Sequence, residues 1–204
     1  MNKQDIVIID YSMGNLRSVE KAFHYVGLPA RIISEPAELY SADKIVLPGV
    51  GAMKSAYEEL AHKGFIDPLK ENIIVNKKPF LGICLGFQLL FDNSEEDGGV
   101  DGLGIIPGRV VRFNTQEKVP QIGWNTIKVM SKNPLFKKVL SGSYVYFVHS
   151  YYAIPDNPGD TAALTTYDVT FTSAVCRDNI MATQFHPEKS QKIGLQIIKN
   201  FVSF

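Results

Sequence analysis

The side chains in this sequence best suited to nucleophilic or proton-transfer chemistry include two cysteines and four histidines. Cys84 stands in GICLGFQLL, residues 82–90, between two glycines at the end of an apolar run. PFLGI reads as a buried strand, and LGFQLLF, free of β-branched residues, as the start of a helix, so Cys84 falls at a strand-to-helix turn. A turn that sharp forces strained angles on its central residue and presses its neighbours against adjacent strands. Glycine at 82 and 86 removes the side chains that would collide. The sulfur then points out at the carboxyl end of the sheet, where open α/β folds keep their ligand crevice, and a helix N-terminus beneath it favours the thiolate. Most free cysteines are small buried hydrophobes, so the spacing needs a partner before it signals a nucleophile.

A thiolate needs a base, and an imidazole needs a group that orients it. His24 on the first predicted helix and His62 near the end of another read as surface residues, and His149 follows the strand YVYFV. His186 lies in QFHPEKS, with Glu188 two residues on and Pro187 between, holding the segment extended so that both side chains face one way. Glu188 can then hold the imidazole tautomer while the other ring nitrogen faces the sulfur; the plainer alternative is that His186 caps a strand. A third feature is KIVLPGVGAM, residues 44–53, where a strand runs into Pro48, Gly49, Val50 and Gly51. Such a segment presents backbone N–H groups with little steric cover, as an oxyanion hole requires. It is a poor nucleotide loop, because no third glycine follows at the dinucleotide spacing and no lysine with Ser or Thr completes a phosphate loop.

The elements that must position these groups alternate in the first half: short apolar runs at 5–9, 30–33, 44–47 and 79–83, with amphipathic stretches between them. That alternation predicts parallel strands joined by helices, the first helix running over 15–25 and stopping at Gly27. From Gly99 onward RVVRF, NTIKVM, SYVYFVHSYYAI, TAALTTY, FTSAVC and NIMATQF read as strands in hairpin order, so the sheet turns mixed or gains an antiparallel flank. GLQIIKNFVSF closes as an amphipathic helix, and SEEDGGVDG at 94–102 is a polar loop, either a solvated turn or functional. The 204 residues, 45% hydrophobic, suit one domain over 1–204 with a substantial core. With 21 basic and 21 acidic residues, no bulk charge favours nucleic acid or an anionic membrane. The leading apolar stretch is too short for a signal peptide, and no run is long enough to span a bilayer. Two cysteines so far apart form neither a disulfide framework nor a zinc site; no metal or cofactor is expected, and a reducing cytoplasm is the simplest setting.

Taken in order, LPGVG, GICLGFQ and QFHPE resemble the triad-type, class I glutamine amidotransferases, whose flavodoxin-like glutaminase domain cleaves the side-chain amide of glutamine. DYSMGN, GLGIIPGRVVRF, IGWN, FVHSYY and QFHPEKS extend the likeness over nearly the whole chain. This set is similar to the glutaminase subunits of histidine biosynthesis; anthranilate-type and pyridoxal-type glutaminases share only the Cys and His blocks. The resemblance implies a mixed, mostly parallel central sheet flanked by helices, with an antiparallel flank in the second half. It implies Cys84 as nucleophile, His186 as general base and then acid, and Glu188 as its orienting carboxylate. The oxyanion would be met by amides of the segment Gly49, Val50 and Gly51 and of Leu85. Gly51, Gln88, Ser150 and Tyr151 would bind L-glutamine, and Glu96 would hold its ammonium group, which tips the acidic loop towards function. Phe87 stands where the family usually has methionine or histidine, and lines the pocket more than it reacts.

Ammonia protonates in water and then loses its nucleophilicity, so a protected path should carry it onward. The resemblance implies a separate TIM-barrel cyclase subunit, as a heterodimer, over a surface that includes Asn15, Trp124, Tyr146 and Lys189. Trp124 as core and Lys189 as a solvated charge are the plain alternatives. A cysteine-elbow α/β-hydrolase would place its acid before its histidine, whereas Glu188 follows His186. A non-catalytic module on the same fold predicts a lost Cys, His or Glu. A paralogous glutaminase that feeds a sugar-modifying synthetase remains a further alternative.

Overall fold

The apolar runs of the first half become strands, all but the edge strand over 30–33 buried on both faces, the condition of a parallel sheet covered by helices. In a computed structural model, which describes residues 4–130 and 133–204, these are β1 (Ile6–Ile9), β2 (Ala30–Ile33), β3 (Lys44–Gly49) and β4 (Phe80–Cys84). They pair in parallel with one another and with β13 (Ile180–Thr183), in the order β2-β1-β3-β4-β13. This is the flavodoxin-like order of a doubly wound sheet, whose crevice opens at the carboxyl ends of the strands.

Alternation along each strand sorts the core into two layers. Ile6 and Ile8 face α1 (Leu16–Tyr25) and α5 (Gln191–Val202), where Phe23 and Phe201 meet edge to face at 6.3 Å. Val7 and Ile9 face the opposite layer, with α2 (Met53–His62) and α3 (Ile66–Lys70). Asn15 caps α1 by accepting the Ser18 N–H at 3.3 Å, which satisfies one orphan donor of the first turn. The last turn of α5 is held by a buried lysine: Lys44 Nζ donates to the Phe201 and Val202 carbonyls at 3.1 and 2.7 Å. A cation is favoured there by the unpaired carbonyls of the helix end. Among the described residues no helix is long and apolar enough to cross a membrane.

The second half builds the antiparallel flank. β12 (Val169–Arg177) pairs with β13, and β10 (Tyr151–Pro155) and β7 (Gly108–Arg112) follow it across the sheet. Beyond β7 lie the short β5 (Asn93–Ser94) and β6 (Val100–Asp101). β11 (Thr161–Tyr167) joins β12 to a ribbon of β8 (Gln121–Val129) and β9 (Ser143–His149).

The run SYVYFVHSYYAI does not continue as one strand. It breaks at Ser150, because β9 pairs with β8 while β10 pairs with β7 and β12. The helix expected after Cys84 is also short: α4 spans only Leu85–Gln88. The next carbonyls are claimed from outside, Leu89 O by Leu103 N–H, Leu90 O by those of Ile105 and Ile106, and Phe91 O by that of Gly104. A four-residue helix has little dipole to lend the sulfur.

The stub lies on the sheet backbone itself. A Cβ at position 86 would sit 1.8 Å from the Leu47 carbonyl oxygen, and one at 82 would sit 2.7 Å from Gly86 O. Neither neighbour is a flexible side chain that could yield. Gly86→Ala is therefore expected to destabilise the fold by about 3 kcal/mol or more, read as a lower denaturant midpoint in chemical unfolding.

Candidate active site

Cys84 ends β4 with φ 55° and ψ −102°, a conformation that L residues rarely adopt and that surrounding structure must enforce. The close packing of Gly82 and Gly86 enforces it. The sulfur faces a cavity of ≈ 240 Å³ at the carboxyl rim, walled by Val50, Gly51, Gln88, Glu96, Ser150 and Tyr151 among others.

His186 lies behind the sulfur, one hundred residues along the chain but next door in space because β13 is the neighbour of β4. Its Nδ1 is 2.8 Å from Glu188 Oε1, with both side chains only 2% exposed. The pairing arises differently from the extended segment expected. Pro187–Lys189 form a 3-10 turn, with Lys189 and Ser190 N–H groups bonding back to His186 and Pro187 carbonyls. Proline at the first position presets that turn, and Gly194 lets α5 lie on it, since a Cβ there would be 1.8 Å from Pro187 O. His186 Nε2 and Glu188 Oε2 are buried without hydrogen-bond partners among the described residues. Burial by itself would push the His186 pKa down. Interaction of the imidazole with the Cys84 sulfur and, after it, with the Glu188 carboxylate outweighs that and raises the pKa to about 10.

The PGVG segment forms the facing wall. Tyr11, fully buried, donates its hydroxyl to the Pro48 carbonyl at 2.9 Å and fills the space beside Gly49, where a Cβ would lie 2.2 Å from that hydroxyl. Gly51 follows at φ 103°, and Val50 is 38% exposed at the cavity mouth together with Leu85 in its wall. Glu96 comes from the acidic loop, where Glu96–Gly98 form a 3-10 turn, and accepts the Met53 N–H at 2.7 Å. It thus caps α2, whose own N-cap Ala52 offers no side-chain acceptor. Burial raises the Glu96 pKa, and that backbone bond only partly offsets it.

His149 is the second buried histidine. Its Nδ1 lies 2.8 Å from the Tyr151 carbonyl, which can only accept, so this nitrogen carries the proton. Burial lowers its pKa to about 4, against the Tyr151 carbonyl bond that raises it. The neutral ring must then accept at Nε2, so the Gln121 amide, whose Oε1 is placed 2.9 Å away, has to be flipped to present its NH₂ there.

Trp124 and Tyr146 are cross-strand partners on the β8–β9 ribbon, with rings 6.0 Å apart edge to face, and Lys189 Nζ lies 5.9 Å from the Tyr146 ring centroid. Trp124 is 46% exposed rather than core. Asn15 sits apart at the head of α1, the helix that touches the Pro187–Lys189 turn. His24 and His62 are exposed on α1 and α2. Sequence reasoning passed over Tyr11, Gln121, His149 as a buried brace, and Gln184, which bonds both the sulfur and Gln88; only their burial in space marks them.

A cysteine elbow on a flavodoxin-like sheet with a His–Glu pair behind it is the arrangement expected of a triad-type amidotransferase. The family model for glutamine amidotransferase class-I matches residues 7–203, and the chain belongs to that family. Among curated relatives, imidazole glycerol phosphate synthase subunit HisH of Syntrophotalea carbinolica is 55% identical over 96% of this chain and 98% of its own length. The protein of the same name from Methanocaldococcus jannaschii is 50% identical over 97% and 98%. Of solved structures, a glutamine amidotransferase superposes with a TM-score of 0.76 at 17% identity over 97% of both chains. PurLQS from Thermotoga maritima gives 0.74 at 15% identity over 98% of both chains; these two likenesses bear on the fold alone.

The neutral His149 makes stability depend on pH. An unfolded histidine takes up a proton near pH 6.5, whereas the buried ring resists until about 4. Between those values the unfolded chain binds more protons, so stability falls as pH drops from 6.5 to 4, by up to about 3 kcal/mol from this group. His149→Gln is expected to flatten that slope, measured as urea midpoints across the same pH range.

Proposed function

We propose that the chain, as one glutamine amidotransferase domain in the cytoplasm, is the glutaminase subunit of an imidazole glycerol phosphate synthase. It hydrolyses L-glutamine and passes the ammonia to a separate cyclase subunit. The carrying observation is the arrangement of Cys84 at a cavity rim with the buried His186–Glu188 pair behind it; full-length identity to subunits of that name supports the particular assignment.

In this reading the thiolate attacks the amide carbon, and the oxyanion is met by backbone N–H groups near Val50 and Leu85. His186 gives its proton to the departing nitrogen, the C–N bond breaks, and ammonia leaves a glutamyl thioester. His186, held in one tautomer by Glu188, then takes a proton from water, which releases glutamate and restores the thiolate. Glu96, already drawn to a helix N-terminus, keeps one oxygen for the ammonium of the substrate, and Ser150 and Tyr151 present main chain where β9 breaks into β10.

The resemblance implies that the cyclase, a TIM barrel in a heterodimer, joins ammonia to a phosphoribulosyl formimino aminoimidazole carboxamide nucleotide to give imidazole glycerol phosphate. Its docking face would be the outer side of the β8–β9 ribbon. Ile122 and Trp124 there, 63% and 46% exposed, pair with Val148 and Tyr146, and Val148 also lines the cavity. An apolar strip running into the site suits a partner that must receive ammonia without exposing it to water.

Cys84→Ala should abolish glutamine hydrolysis while the cyclase still turns over with added ammonium salts; hydrolysis that persisted would end the assignment. Trp124→Ala, an exposed position, should weaken association with the cyclase by about tenfold or more and leave the melting temperature nearly unchanged, read by calorimetric titration and thermal unfolding.

A further inference from the structure

Gln184, fully buried just beyond β13, has no part in the triad chemistry described above. Its Nε2 lies 3.8 Å from Cys84 Sγ, and its Oε1 lies 3.0 Å from Gln88 Nε2. The orientation of both amides follows from one fixed group. The Tyr151 carbonyl, 2.9 Å from Gln88 Nε2, can only accept, so Gln88 must place its NH₂ there. That NH₂ also faces Gln184, which must answer with its carbonyl and so turn its own NH₂ to the sulfur. With both hydrogens of Gln88 committed, its carbonyl oxygen is the group left for the cavity that Gln88 lines.

We propose that Gln184 is a positioning residue for glutamine hydrolysis, steadying the sulfur with one amide hydrogen and turning the Gln88 carbonyl towards the substrate. The inference rests on the glutaminase reading and deepens it. A donor at the sulfur strengthens as the sulfur becomes anionic, so it favours the reactive form. An acceptor on the cavity wall selects a substrate that offers N–H groups, as an amide or ammonium does.

The test is alkylation of Cys84 by iodoacetamide as a function of pH, followed peptide by peptide. Cys176 is thereby counted separately; burial pushes its thiol up to about 11 in any case. In Gln184→Met the half-maximal pH is expected to rise and the rate at pH 7 to fall about tenfold. The L-glutamine concentration that half-protects Cys84 should rise severalfold as well. Gln184→Asn keeps a buried amide but withdraws it by one methylene, and should move the pH curve the same way. Gln88→Met removes the acceptor itself and should raise the protecting concentration at least as far as Gln184→Met does. An unmoved pH curve in a folded Gln184→Met or Gln184→Asn protein overturns the proposal. Failure of L-glutamine to protect the unsubstituted cysteine would overturn the glutaminase reading instead, since the pH curve reports on Gln184 without substrate.

Discussion

The Leu47 carbonyl occupies the place a side chain at position 86 would need, and the site depends on that contact. Backbone touching backbone lets α4 start directly against β3, one strand away from the strand that delivered it. A chain that must turn within one residue between those positions has few conformations available, and Cys84 takes the strained one. The sulfur is thus aimed by main-chain packing, which is stiffer than any rotamer choice. The same rim receives the PGVG segment from β3 and the His186 segment from β13, because these are the two sheet neighbours of β4.

Electrostatics then divides two neighbouring buried histidines, of which His149 lines the cavity. His186 has a carboxylate on one side and a sulfur that can carry charge on the other, and the two overcome the cost of burying an imidazolium. His149 has a carbonyl and an amide, neither charged, and burial wins. One ring is favoured as the cation, the other stays neutral and braces main chain. Ser190 ties this interior to the outer ribbon: its hydroxyl donates to the His186 carbonyl at 2.6 Å and accepts the Tyr146 N–H at 2.9 Å, while His186 N–H bonds Tyr146 O. The Trp124–Tyr146 face is thereby tied through main-chain bonds to His186 itself.

Much of this was readable from residue order. Cys84 between glycines, and His186 two residues from Glu188, carry their chemistry in short spacings, and the alternation of apolar runs foretold the parallel half of the sheet. What escaped was set by contacts distant in sequence. The helix after Cys84 stops early because residues 103–106 take its carbonyls, and β9 gives way to β10 because the two have different neighbours. A lone glutamine or tyrosine announces nothing in a sequence; Gln184 and Tyr11 acquire meaning only from the sulfur and the carbonyl they meet. Lys44 opens an apolar strand and would pass for a solvated flank, yet it is buried on the far end of α5.

The left-handed backbone at Cys84 sets fold against chemistry. Glycine alone would rest there without steric penalty, and holding any other residue in place costs about 1–3 kcal/mol. Glycine at 84 would relieve that strain and give up the packing of a buried sulfur, so the two effects oppose each other there. The thiol thus sits at a position whose backbone favours another residue and whose surroundings favour a side chain.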